Sequence, residues 1–148
     1  MINRLSMIAA SAALSLTLAL PGAHAAEKKP AEPMTIPAII SGTIAYRERM
    51  ALPPGSEAIV QLLDTSRADA PAIVIAEQRL TITGQVPVSY QVDYDAVNIN
   101  PRNNYTVSAR IVNGGKLLFV SDTGIPAITR GSPGHVDLVL KKAASPQK

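Results

Sequence analysis

The sequence predicts an all-β fold: a single antiparallel β-sandwich of about seven strands, immunoglobulin-like or transthyretin-like, with a closed barrel as runner-up. Three observations carry this. Between residues 38 and 142, short runs of β-branched, aliphatic and aromatic residues alternate with clusters of Pro, Gly, Asn and Asp. No part of that stretch sustains an apolar period of 3.6 residues. The runs are spaced closely enough to fit about seven strands into about 100 residues.

The first strand is read at 39–47, with Ile40, Ile44 and Tyr46 on one face. Leu52-Pro53-Pro54-Gly55 is a turn, since two prolines and a glycine interrupt any ladder there. The second strand, 57–64, turns Ala58, Val60 and Leu62 inward and Gln61 outward. A polar loop follows at 66–71. The third strand, 72–82, changes parity: Ile73, Ile75 and Glu77 share one face, and Val74, Ala76, Leu80 and Ile82 the other. A bulge near 77–79 would reconcile the two sets.

In the fourth strand Val86, Val88, Tyr90 and Val92 alternate with Pro87, Ser89 and Gln91. Pro87 has no N–H to give a ladder, so this strand is expected to begin at an edge. Residues 95–104 form a compact connection. The fifth strand, 105–111, places Tyr105, Val107, Ala109 and Ile111 inside. The Tyr105 hydroxyl either bonds upstream backbone, as in a tyrosine corner, or caps a core ring with its tip in water. Asn113-Gly114-Gly115 is a hairpin turn, because these residues tolerate positive φ. The sixth strand is read at 116–121, and the last at 135–140 with Val136, Leu138 and Leu140 inward.

The ends have a different character. Residues 1–25 read as a secretory signal: Arg4 supplies the positive start, Met7 to Leu20 the apolar core, and Ala23-His24-Ala25 the small-x-small site. The cut is placed between Ala25 and Ala26. The apolar run, roughly 14 residues, falls short of the ~20 that a spanning helix needs, so no membrane span is expected after cleavage. Residues 26–37 hold Pro30, Pro33 and Pro37 among charges and read as a flexible segment, as does the tail at 143–148. The localisation expected is periplasmic.

Composition narrows the chemistry. Removing 1–25 takes away Arg4 and no acid, so the formal charge falls from +3 to about +2. Basic and acidic residues are interspersed, which does not suit nucleic acid. There is no cysteine, and the only histidine beyond residue 25 is His135. Cys/His metal sites, Ser-His-Asp triads and thiol redox chemistry are thereby excluded, and no cofactor is expected. Carboxylates remain: Glu48, Glu57, Asp64, Asp69, Glu77, Asp93, Asp95, Asp122 and Asp137. No spacing selects a pair of them for hydrolysis, and there is no tryptophan to serve as a sugar platform. A carboxylate-based envelope hydrolase therefore stands behind a non-enzymatic reading.

Two segments could recognise something. Tyr46-Arg47-Glu48-Arg49 ends the first strand and is the candidate interaction patch, with Arg as a planar fork donor; an exposed ion-pair cluster is the plainer reading. The oxygens of Asp64 to Asp69 could hold calcium but lack the spacing and glycine of an EF-hand loop, so capping of the turn by Asp and Ser is preferred.

These segments also carry a resemblance. Residues 42–49, Leu52-Pro53-Pro54, 60–64 and 66–71, then Tyr94-Asp95, Ile99-Asn100-Pro101-Arg102, Tyr105, Arg110, Asp122-Thr123 and Thr129-Arg130-Gly131, resemble the YbaY-like lipoprotein family. That family is grouped with the YscW-type lipoprotein chaperones of type III secretion. The resemblance covers about 39–141 and implies an exported Gram-negative β-sandwich of poorly defined role. The lack of a reactive residue set and the exposed edge strands point to one that binds a protein or envelope component. Some members are pilotins, which escort a secretin subunit and use a lipidated cysteine as a sorting handle. This sequence has no cysteine, which favours a soluble periplasmic protein over a pilotin. The family supplies no catalytic residues.

Overall fold

The computed structural model describes residues 34–144. The expected signal segment, its cut between Ala25 and Ala26, residues 26–33 and the end of the tail lie outside this range. The strands are β1 (Pro37–Tyr46), β2 (Ser56–Asp64), β3 (Ile73–Thr81), β4 (Val88–Asp95), β5 (Tyr105–Asn113), β6 (Lys116–Val120), β7 (Ile125–Ala127) and β8 (Leu138–Lys142). One short 3-10 turn, Ala96–Asn98, follows β4 and is capped by the Asp95 carboxylate, which accepts from Val97 N. The same carboxylate accepts from Ile36 N, which ties the backbone just ahead of β1 to the end of β4.

Alternation determines which side chains meet. The side chains of a strand point to opposite faces in turn, so every second residue shares a surface. Ile40, Ile44 and Tyr46 of β1, Ala58, Val60 and Leu62 of β2, Tyr90 and Val92 of β4, and Tyr105, Val107, Ala109 and Ile111 of β5 are all buried in one core. Phe119 of β6 and Val136, Leu138 and Leu140 join it, with Leu52, Ile82 and Ala127.

The strands run in the order β3-β2-β5-β6-β8-β1-β4, with β7 added on β5. This is one curled sheet, a nearly closed barrel of eight strands, and it corrects the expected two-sheet sandwich of seven. The physical reason is β8. Its residues Leu138–Leu140 pair with Ile44–Tyr46 of β1, while Lys141 and Lys142 pair with Val120 and Phe119 of β6. One strand thus joins what would otherwise be two sheets. The seam lies between β3 and β4, which pack side by side at the two ends of the strand order. Pro87 immediately precedes β4, in keeping with an edge position.

Two further expectations are corrected. The sheet is not wholly antiparallel, because β1 and β8 run parallel and an isolated parallel bridge, Ser41 to His135, extends their pairing. Inward alternation is the same for either direction, so it could not signal this. The bulge of β3 is at Ile75 rather than 77–79: Leu62 faces Ala76 and Leu63 faces Val74, leaving Ile75 as the extra residue. Glu77 and Arg79 pair in regular register. The eighth strand, β7, was missed because three residues containing a proline give no readable period.

Local geometry explains two sequence choices. The β5–β6 hairpin turns on Gly114 and Gly115 at φ 54 and 80, the positive values that a two-residue turn of this twist needs. In β1, a Cβ on Gly42 would lie 1.8 Å from the Val136 carbonyl oxygen, so the close approach of the two backbones requires glycine. The Tyr105 ring is 2 % exposed, and its hydroxyl oxygen accepts from Asn100 N at 3.0 Å. Of the two readings of Tyr105, the tyrosine corner is the one formed.

Candidate functional site

The candidate patch divides between core and surface. Tyr46 continues the inward parity of β1, stacks on Phe119 with ring centroids 4.2 Å apart, and donates its hydroxyl to the Met50 carbonyl at 2.7 Å. That bond folds the 47–50 loop back over the end of the barrel. Burial, with the Glu48 charge adding to it, pushes the Tyr46 hydroxyl up from its ordinary value. Glu48 is half-buried: one carboxylate oxygen accepts from Lys142 N at 3.2 Å, and the other is buried without a hydrogen-bond partner. Arg47 and Arg49 are exposed. The structure therefore gathers the loop around Tyr46 and offers the two arginines to solvent.

Beside this loop lies a cleft of about 590 Å³. Met50 contributes from the loop, Lys116, Leu117 and Leu118 from β6, and Lys142 and Ala143 from the end of β8. Ala143 N donates to the Leu118 carbonyl at 2.8 Å, which holds the chain against β6 as it leaves the sheet. The walls are chiefly apolar, and Met50 and Leu117 are each 41 % exposed. No carboxylate lines the cleft, and Lys116 and Lys142 have no ion pair among the described residues. With Arg47 and Arg49 on the adjoining loop, an apolar trough carries a cationic margin. Sequence reading missed these residues because they come from three separate segments. The available signal was Leu117-Leu118-Phe119-Val120, four apolar residues in a row where a strand can turn only alternate ones inward.

The carboxylates are spread over the surface, mostly within the fold's own bonds. Asp64 accepts from Ser66 N, Ser66 Oγ and Asn103 Nδ2, and these bonds hold its carboxyl below the ordinary range despite partial burial. It caps its own turn, and Asp69 is not drawn in to complete a calcium cage. Asp137 accepts from Thr43 N and Thr43 Oγ1, with His135 3.4 Å away. Glu77 is held by Gln61 and Arg79, Asp93 accepts from Gln91, and Asp122 pairs with Lys141. Among the described residues, no three His, Asp or Glu side chains group as metal ligands. Nor is any helix there long and apolar enough to cross a membrane.

Residues 37–140 match the family model of the type III secretion system lipoprotein chaperone YscW. The chain belongs to the YscW family. A relative is the uncharacterised lipoprotein YbaY of Escherichia coli (strain K12), 36% identical over 102 residues, which are 68% of this chain and 53% of YbaY. The chain thus spans about half the length of that curated relative. A solved structure, an alternative pilotin from the type II secretion system of Vibrio cholerae, superposes with a TM-score of 0.71. It shares 42% identity, and the match covers 74% of this chain and 100% of the pilotin. Within the YscW family match, β1 to β7 and most of β8 are included, and so are Met50, Lys116 and Leu117 of the cleft.

Proposed function

We infer that this chain is an exported, non-enzymatic protein of the bacterial cell envelope that binds a protein partner in the periplasm. The observation that carries the reading is the apolar cleft with a margin of uncompensated lysines. An exposed apolar trough favours an apolar occupant. A margin in which Lys116, Lys142, Arg47 and Arg49 outnumber its one acid, Glu48, favours one flanked by acidic residues. The occupant is therefore a short partner segment with apolar residues and acidic neighbours. Arg47 and Arg49 extend the margin as fork donors for such acids. Kinship with a secretion chaperone and a pilotin supports a protein as the partner. The carboxylates support a non-enzymatic role, being dispersed and largely engaged in holding turns and strands.

A second reading, favoured by the identity to the Vibrio cholerae pilotin, is a pilotin-like escort for a secretin subunit. It requires another means of membrane sorting, since the chain has no cysteine to lipidate.

Site-specific photocrosslinking tests the binding surface. A crosslinker at Leu117 should trap a discrete envelope protein, while one at Ser89 on β4 should not. Lys116→Glu with Lys142→Glu should abolish the adduct without lowering the melting temperature. An adduct formed equally from both positions, or one unaffected by the charge reversal, would remove the support for the cleft.

A further inference from the structure

At the opposite end of β5 from the cleft, segments far apart in sequence lock together. Asn103 Nδ2 reaches Asp64 at 2.7 Å, and Asn104 N donates to Ser66 Oγ at 2.8 Å. Thr129 Oγ1 donates to the Asn103 carbonyl at 2.8 Å, and Arg130 Nη2 to the Arg102 carbonyl at 2.9 Å. Asp64, Arg102, Tyr105 and Thr129 to Arg130, which are among the residues that carry the family resemblance, come together here with Asn103 and Asn104. Between them lies a pocket of about 270 Å³, lined by Asn104, Tyr105, Thr106, Thr129, Arg130 and Ser132 among others.

We propose that this pocket is an oxyanion-binding site, anchored by Arg130, which takes a single carboxylate or phosphate group. Three independent features support it. First, the charge is uncompensated: Arg102 and Arg130 have no ion pair among the described residues, and no acid lines the pocket. Asp64, the acid of the adjoining loop, already holds Ser66 and Asn103.

Second, the guanidinium is pre-positioned. One N–H of Arg130 is fixed to the Arg102 carbonyl, and its other N–H donors remain available in a planar fork that matches an oxyanion. Thr106 and Ser132 add hydroxyl-bearing side chains to the lining. The volume is below the range of about 300–1,000 Å³ usual for whole organic ligands, and suits the charged terminus of a larger molecule.

Third, the backbone is strained where it presents these groups. Ile128 and Arg130 have φ of 59 and 56, in the left-handed region that side chains other than glycine rarely adopt. Thr129 N closes a three-residue turn onto the Ala127 carbonyl at 2.7 Å. The strained turn buries Thr129 against Asn103 and points Arg130 at Arg102. Strained backbone of this kind clusters at ligand clamps, and here it lies beside a pocket that an exposed arginine borders.

The test is an amide-resolved NMR titration at low ionic strength with sodium phosphate and, separately, sodium acetate. Saturable shifts are expected at Arg130, Gly131, Ser132 and Asn104, with a dissociation constant in the millimolar range. Arg130→Gly should lose them and still fold, since glycine accepts the positive φ while the bond to the Arg102 carbonyl is lost. Arg130→Gln, which keeps a polar side chain, should weaken binding at least tenfold. Sedimentation with phosphatidylglycerol vesicles, against phosphatidylcholine, separates the sources. Arg130-dependent vesicle binding identifies a lipid headgroup, and phosphate binding without it identifies a free or peptide-borne anion. Absence of saturable shifts overturns the proposal, as do shifts that persist in Arg130→Gly or spread equally to Arg47 and Arg49.

Discussion

The Tyr90 hydroxyl donates to the Val136 carbonyl at 2.7 Å, and the two meet over Gly42, where a Cβ would lie 3.0 Å from that hydroxyl. Ser41 N donates to the Gly134 carbonyl and Val136 N to the Ser41 carbonyl on the same side. β4, β1 and the segment leading into β8 are thus clasped at one residue that has no side chain.

Gly42→Ala tests the clasp. The added methyl meets backbone, which cannot rotate away, at 1.8 Å from Val136 O. The expected loss is about 3 kcal/mol, the upper end of what overpacking usually costs. Urea denaturation measures it. A variant as stable as the parent would mean that the two backbones separate freely.

Tyr90→Phe removes the hydroxyl but keeps the ring, and should cost about 1–3 kcal/mol at neutral pH by leaving the Val136 carbonyl short of a partner. Burial, with the Asp137 charge adding to it, pushes the Tyr90 hydroxyl up to about 12. A raised value in the folded state means that the neutral form stabilises. That contribution is complete below the ordinary tyrosine value near 10 and is lost as pH rises to about 12. Denaturation from neutral pH to that limit should show the stability gap between parent and Tyr90→Phe narrowing.

Tyr105 offers a graded comparison. Tyr105→Ala removes a buried ring and should cost about 3–5 kcal/mol, by analogy with core Phe→Ala changes. Tyr105→Phe deletes the acceptor for Asn100 N and should cost about 1 kcal/mol. Equilibrium unfolding of the pair checks both values, and an Ala variant within ~0.5 kcal/mol of the parent would contradict the burial.

Acid should loosen the Asp64 end of the barrel. Its bonds to Ser66 and Asn103 hold the folded carboxyl below the ordinary range. The stability it adds is therefore present above the unfolded value and is lost as pH falls through the folded one. Asp64→Asn should melt lower than the parent at neutral pH, and the gap should close on acidification. Thermal melts across the acid range check the sign; a gap that widens would reverse it.

Legibility differs between levels of the structure. The inward sets of β1, β2, β4 and β5 were readable, because alternation is a property of one strand and of its own sequence. Pairing is a property of two. Nothing in Leu138 to Leu140 announces that they lie parallel to Ile44 to Tyr46, or that Lys141 leaves β1 for β6. That single switch separates a barrel from a sandwich. Sites fared likewise: Arg47 and Arg49 were visible as a local cluster, whereas the cleft needs Met50, Leu117 and Lys142 brought together by the fold. The Arg102–Arg130 pair could be quoted as motifs, but its convergence depends on the strained turn at Ile128.

The parallel pairing also sets an order of events. Ser41 and His135 stand 94 positions apart in sequence, and β1 gains its second neighbour only when residues 135–142 are in hand. Joining such distant segments carries a loop-closure cost that local hairpins do not. In chain order β1 is the first strand and waits longest for its last neighbour. Until residues 135–142 are in place, the sheet stays open along β1, so closure of the barrel requires the whole stretch from β1 to β8.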